Sequence, residues 1–197
     1  MSVEQWLIHS LEGVARGHAV DVGANVGSWT RMLATEFATV TAVEADERAY
    51  RSLSADLPSN AVAIHGAACD REGDVLLYRR PSTEQSSLLE VHPIGAIGCV
   101  DAPVHEVVPV RGYTLDGICP QGADFIKIDI EGAEVVALSA MSPDVWGGAT
   151  FLVECHATYD EVVKELLRLG KDVEKVPHPA VNAHPDHCWA IGRPGEA

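Results

Sequence analysis

Several things are scarce or missing in this 197-residue chain, and each absence excludes something. No apolar run approaches the roughly 18 residues needed to span a bilayer, and the N-terminus has no basic stretch followed by an apolar core. Neither a membrane anchor nor a secretory leader is therefore expected, and the chain is read as cytoplasmic. Paired cysteine motifs are missing as well. The five cysteines, Cys69, Cys99, Cys119, Cys155 and Cys188, are odd in number, widely spaced and form no C-x-x-C pair, which points to reduced thiols. Basic residues are few: 14 Lys and Arg stand against 29 Asp and Glu, a net charge of −15. That balance disfavours a nucleic acid or an anionic membrane as partner and leaves a small or neutral molecule. There is also no N-P-P-Y or D-P-P-Y motif for an extruded base, no internal repeat and no linker. A length of 197 residues then implies one domain, able to bury a core without disulfides or a structural metal.

What is present is organised around Ala19 to Gly27, AVDVGANVG. Ala19, Val20 and Val22 suit a buried strand, Gly23 and Gly27 allow a tight turn, and Ser28 is placed to cap the helix whose apolar face is Trp29, Met32, Leu33 and Phe37. An amphipathic helix over the first dozen residues, with Val3, Trp6, Leu7 and Leu11 at helical spacing, precedes this unit. Strands at 40–43 and 62–64 follow, with a helix between them that Pro58 ends. This alternation is that of a parallel sheet with right-handed crossovers.

From 71 to 110 the rhythm changes. Strands are expected at 75–78 and 104–110, the second with an edge-type Pro109, and 81–99 shows no period; the region reads as an insertion or lid. The core resumes with strands at 125–129 and 151–154. Thr158-Tyr159-Asp160-Glu161 has the form of a capping box, and short strands at 173–176 and 188–191 are too close for a crossover helix, so they should be antiparallel. The overall expectation is α/β: a three-layer, Rossmann-like, doubly wound sheet of seven strands with an antiparallel C-terminal hairpin strand.

The chemistry-bearing residues gather at strand ends. Glu44 closes the second strand 21 positions after Gly23, the spacing at which a carboxylate accepts hydrogen bonds from ribose hydroxyls; Asp46 is the competing helix cap. Asn25 stands where a dinucleotide fingerprint has its second glycine, so a pyrophosphate is disfavoured and an NAD-type cofactor with it. Asp21 would repel phosphate but suits the cationic amino-acid group of S-adenosylmethionine.

A second stretch, FIKIDIEGAE at 125–134, puts Lys127 and Asp129 on one strand face, with Glu131 and Glu134 at the entry to a helix. Buried charges of this kind are paired or functional. His156, after the fifth strand, has an ordinary pKa well placed for a base near neutrality. Asp129 and His156 are the candidate proton acceptors. Lys127 joins them as a candidate catalytic residue, a buried ion pair being the alternative. Asp129, Glu154 and His156 are also a candidate ligand set for a divalent ion such as Mg²⁺. The loop bearing His178, His184, His187 and Cys188 has a spacing that matches no standard zinc finger and reads as a wall of the substrate entrance.

DVGANVG, VTAVEAD, YTLDGI at 113–118 and above all FIKIDIEGAE together resemble the FkbM family of class I S-adenosylmethionine-dependent methyltransferases, over residues 20–154. The resemblance implies methyl transfer to a hydroxyl oxygen of a small molecule or glycan, such as a sugar or polyketide. It also implies that Asp21, Gly23, Ala24, Asn25 and Gly27 cradle the methionine part and that Glu44 takes the ribose. The run His65-Gly66-Ala67-Ala68 would lie near the adenine, with Ala67 among the binding residues and His65-Gly66 departing from the family string. Asp129 is shared between donor and acceptor, and Ser86 and Ser87 resemble a serine pair of the family's variable loop. Peptide or amide N-methylation and non-catalytic S-adenosylmethionine binding remain alternatives, and the acceptor and the oligomeric state are not legible.

Overall fold

The computed structural model describes residues 9–91, 102–178 and 187–195. The expected N-terminal helix lies mostly outside the described residues, although Leu11 is buried against Leu33, Phe37 and Phe125.

The apolar run before the glycine turn forms β1 (His18–Val22), with Ala19, Val20 and Val22 fully buried. There follow α1 (Ser28–Glu36), β2 (Thr39–Glu44), α2 (Glu47–Ala55), β3 (Ala61–His65), β4 (Ala67–Ala68), β5 (Gly73–Arg79) and β6 (Glu106–Tyr113). The second half comprises α3 (Leu115–Ile118), β7 (Phe125–Ile128), α4 (Glu134–Ser139), α5 (Pro143–Trp146), β8 (Thr150–His156), α6 (Tyr159–Arg168), β9 (Lys171–Pro177) and β10 (His187–Pro194).

Seven strands make one sheet in the order β3-β2-β1-β7-β8-β10-β9, with β10 antiparallel to both of its neighbours. The chain winds outward from β1 to β3 and then returns to the other side of β1 as β7. The strand order thus reverses between β1 and β7, and a crevice opens at their carboxyl ends, where open α/β sheets hold ligands.

The central strands β7 and β8 are buried along their whole length, as a sheet covered on both faces requires. Val20, Val22, Ile126, Ile128 and Val153 pack on one face with Leu138, Trp146 and Leu166. Ala19, Phe125 and Leu152 pack on the other with Leu33, Phe37, Trp189 and Ile191. Asp21 and Lys127 are register partners on adjacent strands, which sets their two side chains next to each other inside the core.

The insertion contains a feature that periodicity did not foresee. Its strands β5 and β6 join β4, which precedes it, in a separate three-stranded sheet, β4-β6-β5. Pro109 pairs there only with Leu76 of β5, so its missing N–H faces the unpaired side. The segment after β5 is ordered by Arg80, whose fully buried guanidinium donates to the carbonyls of Gln85, Glu90 and Ala102. Those bonds offset the cost of burying the charge.

Two expected caps are corrected. Gly27, at φ 90°, is the cap of α1, and neither it nor Ser28 supplies a side-chain cap bond. Thr158 does not close a capping box on α6; its hydroxyl donates to Glu134 Oε2 at 3.1 Å. Asp46 does cap α2, accepting from Arg48 N at 2.9 Å. No helix among the described residues is long and apolar enough to cross a membrane, and Cys69, Cys119, Cys155 and Cys188 are buried and form no disulfide among the described residues.

Candidate functional site

A cleft of about 620 Å³, open solvent at its mouth included, occupies the crevice between β1, β2, β7 and the insertion. One wall is the glycine turn and the end of β2, with Gly23, Asn25, Glu44 and Ala45; the opposite side carries Asp129, Ile130 and Glu131. Ala67, Ala68, Leu77 and Leu88 give it an apolar back, and Thr83, Ser86 and Ser87 roof it. The roof is fastened to both walls. Thr83 Oγ1 donates to Asn25 Oδ1 at 2.9 Å, Ser86 Oγ to Asp46 Oδ2 at 3.0 Å, and Ser87 Oγ to the Glu131 carbonyl at 2.8 Å.

The backbone is bent sharply where it meets this crevice. Among the described residues the non-glycine residues with positive φ are Asn25 (47°), Glu131 (56°) and Ala157 (61°), and each lies just past the carboxyl end of β1, β7 or β8. Such conformations cost free energy and cluster at sites where the chain must present a ligand surface. Gly23, at φ +75°, is required for close approach: a Cβ there would overlap the main-chain oxygen of Asp129.

Glu44 is buried with both oxygens on backbone amides, accepting from Asn25 N at 2.7 Å and Asp46 N at 2.6 Å. Burial pushes its pKa up to about 7, against the lowering effect of those two amides. Each carboxylate oxygen keeps a second lone pair, and the residue lines the cleft, so hydroxyl donors of a ligand can reach it.

On the other wall the charges form a chain. Lys127, 1% exposed, donates to the carbonyl of Gly23 at 2.9 Å and lies 3.3 Å from Asp21 and 3.4 Å from Asp129. Burial works against its charge, but the carboxylates of Asp129 and Asp21 outweigh it, and the pKa is raised. Lys127 is thus a permanent cation pinning the turn to β7, unsuited to accept a proton.

His156 stands 3.9 Å from Asp129, 3.6 Å from Glu131 and 3.8 Å from Glu154 through Nε2, while Nδ1 meets Glu134 Oε1 at 2.9 Å. Burial disfavours its charged form, yet the carboxylates of Glu134, Glu131 and Asp129 prevail and lift its pKa to about 10. This differs from the ordinary pKa near neutrality expected from the sequence: the surrounding carboxylates favour the imidazolium form of His156. Asp129 moves the other way from an ordinary acid, raised to about 8 by burial and by the charge of Glu154 despite Lys127. Burial would raise Glu154 too, but its bonds to His178 and His187 hold it well below the usual range.

Of the residues expected to contact a cofactor, Gly23, Asn25, Glu44, Ala67 and Asp129 line the cleft. Asp21, Ala24 and Gly27 lie behind its wall. Asp21 is fully buried and takes a 2.6 Å bond from Thr30 Oγ1 besides its pair with Lys127, so its charge is spent within the protein. His65 stacks on Tyr50 with ring centroids 4.8 Å apart, outside the cleft, and Gly66 lines the cleft in its stead. Asp129, Glu154 and His156 do converge, with one ligand atom each within 4.8 Å of one another. Thr83 was missed because nothing in a loop threonine's local sequence marks a bond to Asn25, 58 positions away. Glu134 was noted only as a helix-entry charge; its role in fixing His156 is visible only in three dimensions.

Residues 21–173 match the family model described as "Methyltransferase FkbM domain". Among solved structures, the methyltransferase FkbM from Methylobacillus flagellatus KT is similar over 90% of this chain at 15% identity with a TM-score of 0.62; the match spans 43% of that protein's chain. The glycopeptide N-methyltransferase MtfA, solved with S-adenosyl-L-methionine, is similar at 13% identity and a TM-score of 0.52, over 96% of this chain and 91% of its own. SMU.1697c from Streptococcus mutans, solved in complex with SAH, is similar at 12% identity and a TM-score of 0.51, over 98% of both chains. No curated protein matches the sequence.

Proposed function

Because the chain belongs to the FkbM methyltransferase family, we propose that its cleft binds S-adenosylmethionine and that it transfers the methyl group to a hydroxyl oxygen of a small-molecule or glycan acceptor. The observation that carries this reading is the arrangement of acids across the cleft, with Glu44 on one wall and Asp129 on the other, separated by the apolar surface of Ala67, Ala68, Leu77 and Leu88. A ribose, the flat face of an aromatic base and a cationic sulfonium with its ammonium group have just these needs. The glycine turn supports the same ligand, since Gly23 brings backbone against the cleft and Asn25 offers it no pyrophosphate-type approach.

When bound, S-adenosylmethionine supplies a methyl group on a sulfonium leaving group that needs no proton. The protein's own work is to hold the acceptor oxygen in line and to take its proton. Asp129 is the residue for that step. It lines the cleft, its side chain is 25% exposed there, and its raised pKa of about 8 makes its carboxylate a stronger base than an ordinary aspartate. Lys127 and His156 hold that carboxylate from two sides, at 3.4 and 3.9 Å. Glu134 fixes the ring of His156 in turn. Lys127 and His156 therefore act as positioning residues, and Asp129 as the proton acceptor. The net charge of −15 fits a neutral acceptor and no nucleic acid or membrane.

The test is calorimetry with S-adenosylmethionine and with NAD, followed by methyl-transfer assays on sets of hydroxyl and amine acceptors. Binding of S-adenosylmethionine and turnover on hydroxyl acceptors is the expected result. NAD binding alone overturns the donor, turnover on amines alone overturns the acceptor, and donor binding without turnover on any acceptor favours a purely binding role.

A further inference from the structure

The carboxylate of Glu154 sits where the last three strands of the sheet meet, with an oxygen within 4.8 Å of one of Asp129. Its Oε1 is 2.7 Å from His187 Nε2 and 3.1 Å from His178 Nε2. Glu154 belongs to β8, His187 opens the neighbouring β10, and His178 directly follows β9, so adjacent strands of one sheet carry all three. The two imidazoles stack with centroids 4.1 Å apart and planes 19° from parallel, which brings both Nε2 atoms to one carboxylate oxygen. The three ligand atoms lie within 4.8 Å of one another.

Donors around a tetrahedral zinc ion, with bonds of about 2.0–2.2 Å, stand about 3.3 Å apart. The separations of 2.7 and 3.1 Å need open by about 0.6 and 0.2 Å to admit such an ion, a movement that side-chain torsions supply. Two imidazole nitrogens and one carboxylate oxygen are a donor set for zinc or another first-row transition ion; magnesium and calcium prefer oxygen ligands. A carboxylate with two histidine donors on a single oxygen is also a simple hydrogen-bonded cluster, and the experiment below separates the two.

We propose that Glu154, His178 and His187 form a binding site for one divalent first-row transition ion of the zinc class, next to Asp129. This set differs from the Asp129, Glu154 and His156 set read from the strand ends. His156 has its Nδ1 on Glu134 and faces Glu154 only at 3.8 Å, so it serves as an outer partner linking the ion's carboxylate to Asp129. Three protein donors leave coordination positions open, as in zinc sites that bind substrate. The group these positions would take is the acceptor's hydroxyl oxygen, a role that rests on the methyl-transfer reading above.

Zn²⁺ alone is titrated calorimetrically into the metal-stripped full chain, with neither methyl donor nor acceptor present, so the result does not depend on the reaction. The expected result is one ion per chain. His178→Gln and His187→Gln should each weaken binding by more than the roughly 10- to 100-fold typical of losing an outer-shell partner, and Asp129→Asn should leave it within a few-fold of wild type. Absence of saturable binding in the wild type overturns the site. So does wild-type affinity in both histidine variants, or a loss in Asp129→Asn as large as theirs. Anomalous diffraction at the zinc edge from zinc-soaked wild-type crystals needs no variant to fold: an ion among Glu154, His178 and His187 supports the proposal, and an ion elsewhere or none refutes it. If zinc binds as expected while no hydroxyl acceptor is methylated, the site stands and the methyl-transfer reading fails.

Discussion

Replacing Glu44 by Gln separates what the cleft does for a ligand from what it does for the fold. Wild-type Glu44 offers a ribose two charge-assisted bonds worth about 1.5–3 kcal/mol each, and a glutamine oxygen keeps at most one neutral bond of about 0.5–1.5 kcal/mol. The difference, about 2.5–4.5 kcal/mol, corresponds to a roughly 60- to 1,600-fold rise in Kd for S-adenosylmethionine. Stability should respond differently. The folded-state pKa of Glu44 is raised from 4.5 to about 7, so the folded protein holds this proton more tightly than the unfolded chain. Its stabilising contribution is complete below pH 4.5 and is lost as pH rises to about 7, a loss of about 3 kcal/mol. Glu44→Gln removes that loss at pH 8 but turns an amide NH₂ toward one of the two backbone N–H groups that now bond the carboxylate, a penalty of about 1–3 kcal/mol. The two effects nearly cancel. At pH 8 the variant should melt within a few degrees of wild type while binding the donor far more weakly, and at pH 5.5, where wild-type Glu44 is mostly protonated, the difference in affinity should shrink. Thermal unfolding and calorimetry at both pH values check this. An affinity within threefold of wild type at pH 8 would refute the placement of Glu44 on the ligand.

If Asp129 takes the acceptor's proton, kcat/KM should rise with pH through about 8 as its carboxyl ionises. The cationic donor beside it favours the charged form, so the same rise in kcat should come at lower pH; Asp129→Asn should flatten both profiles and lower the rate by about 10²–10⁴-fold. Lys127→Met leaves Asp21 and Asp129 without their shared cation and should cost about 3–5 kcal/mol in denaturant unfolding; a smaller cost than 1 kcal/mol would show that the pair does not hold the turn to β7. Thr83→Val breaks the bond to Asn25 Oδ1 and should weaken donor binding by about 0.5–1.5 kcal/mol with little change in melting temperature, since the affected bond joins the roof to the turn and lies outside the core. An unchanged donor affinity would show that this fastening is idle.

The sequence alone determined the alternation of strands and helices, the position of the glycine turn and the acidic strand end at Glu44, because each depends on neighbours within a few residues or on one βα unit. FIKIDIEGAE was likewise legible as a strand that carries charge into a core. The tertiary structure decided how those charges are used. The register between β1 and β7 set Lys127 against Asp21 and withdrew both from the cleft wall. The carboxylates of Glu134, Glu131 and Asp129 around His156 outweigh its burial and favour its cationic form. Strand order brought His178 and His187 onto Glu154, although their linear spacing matches no metal motif, and the caps expected at Ser28 and Thr158 gave way to bonds and angles imposed by the rest of the chain. Local pattern sets which residues form strands and turns. Desolvation and Coulomb interactions depend on distances that only folding sets, and here those distances settle which acids are bases, which cations are fixed and which side chains meet.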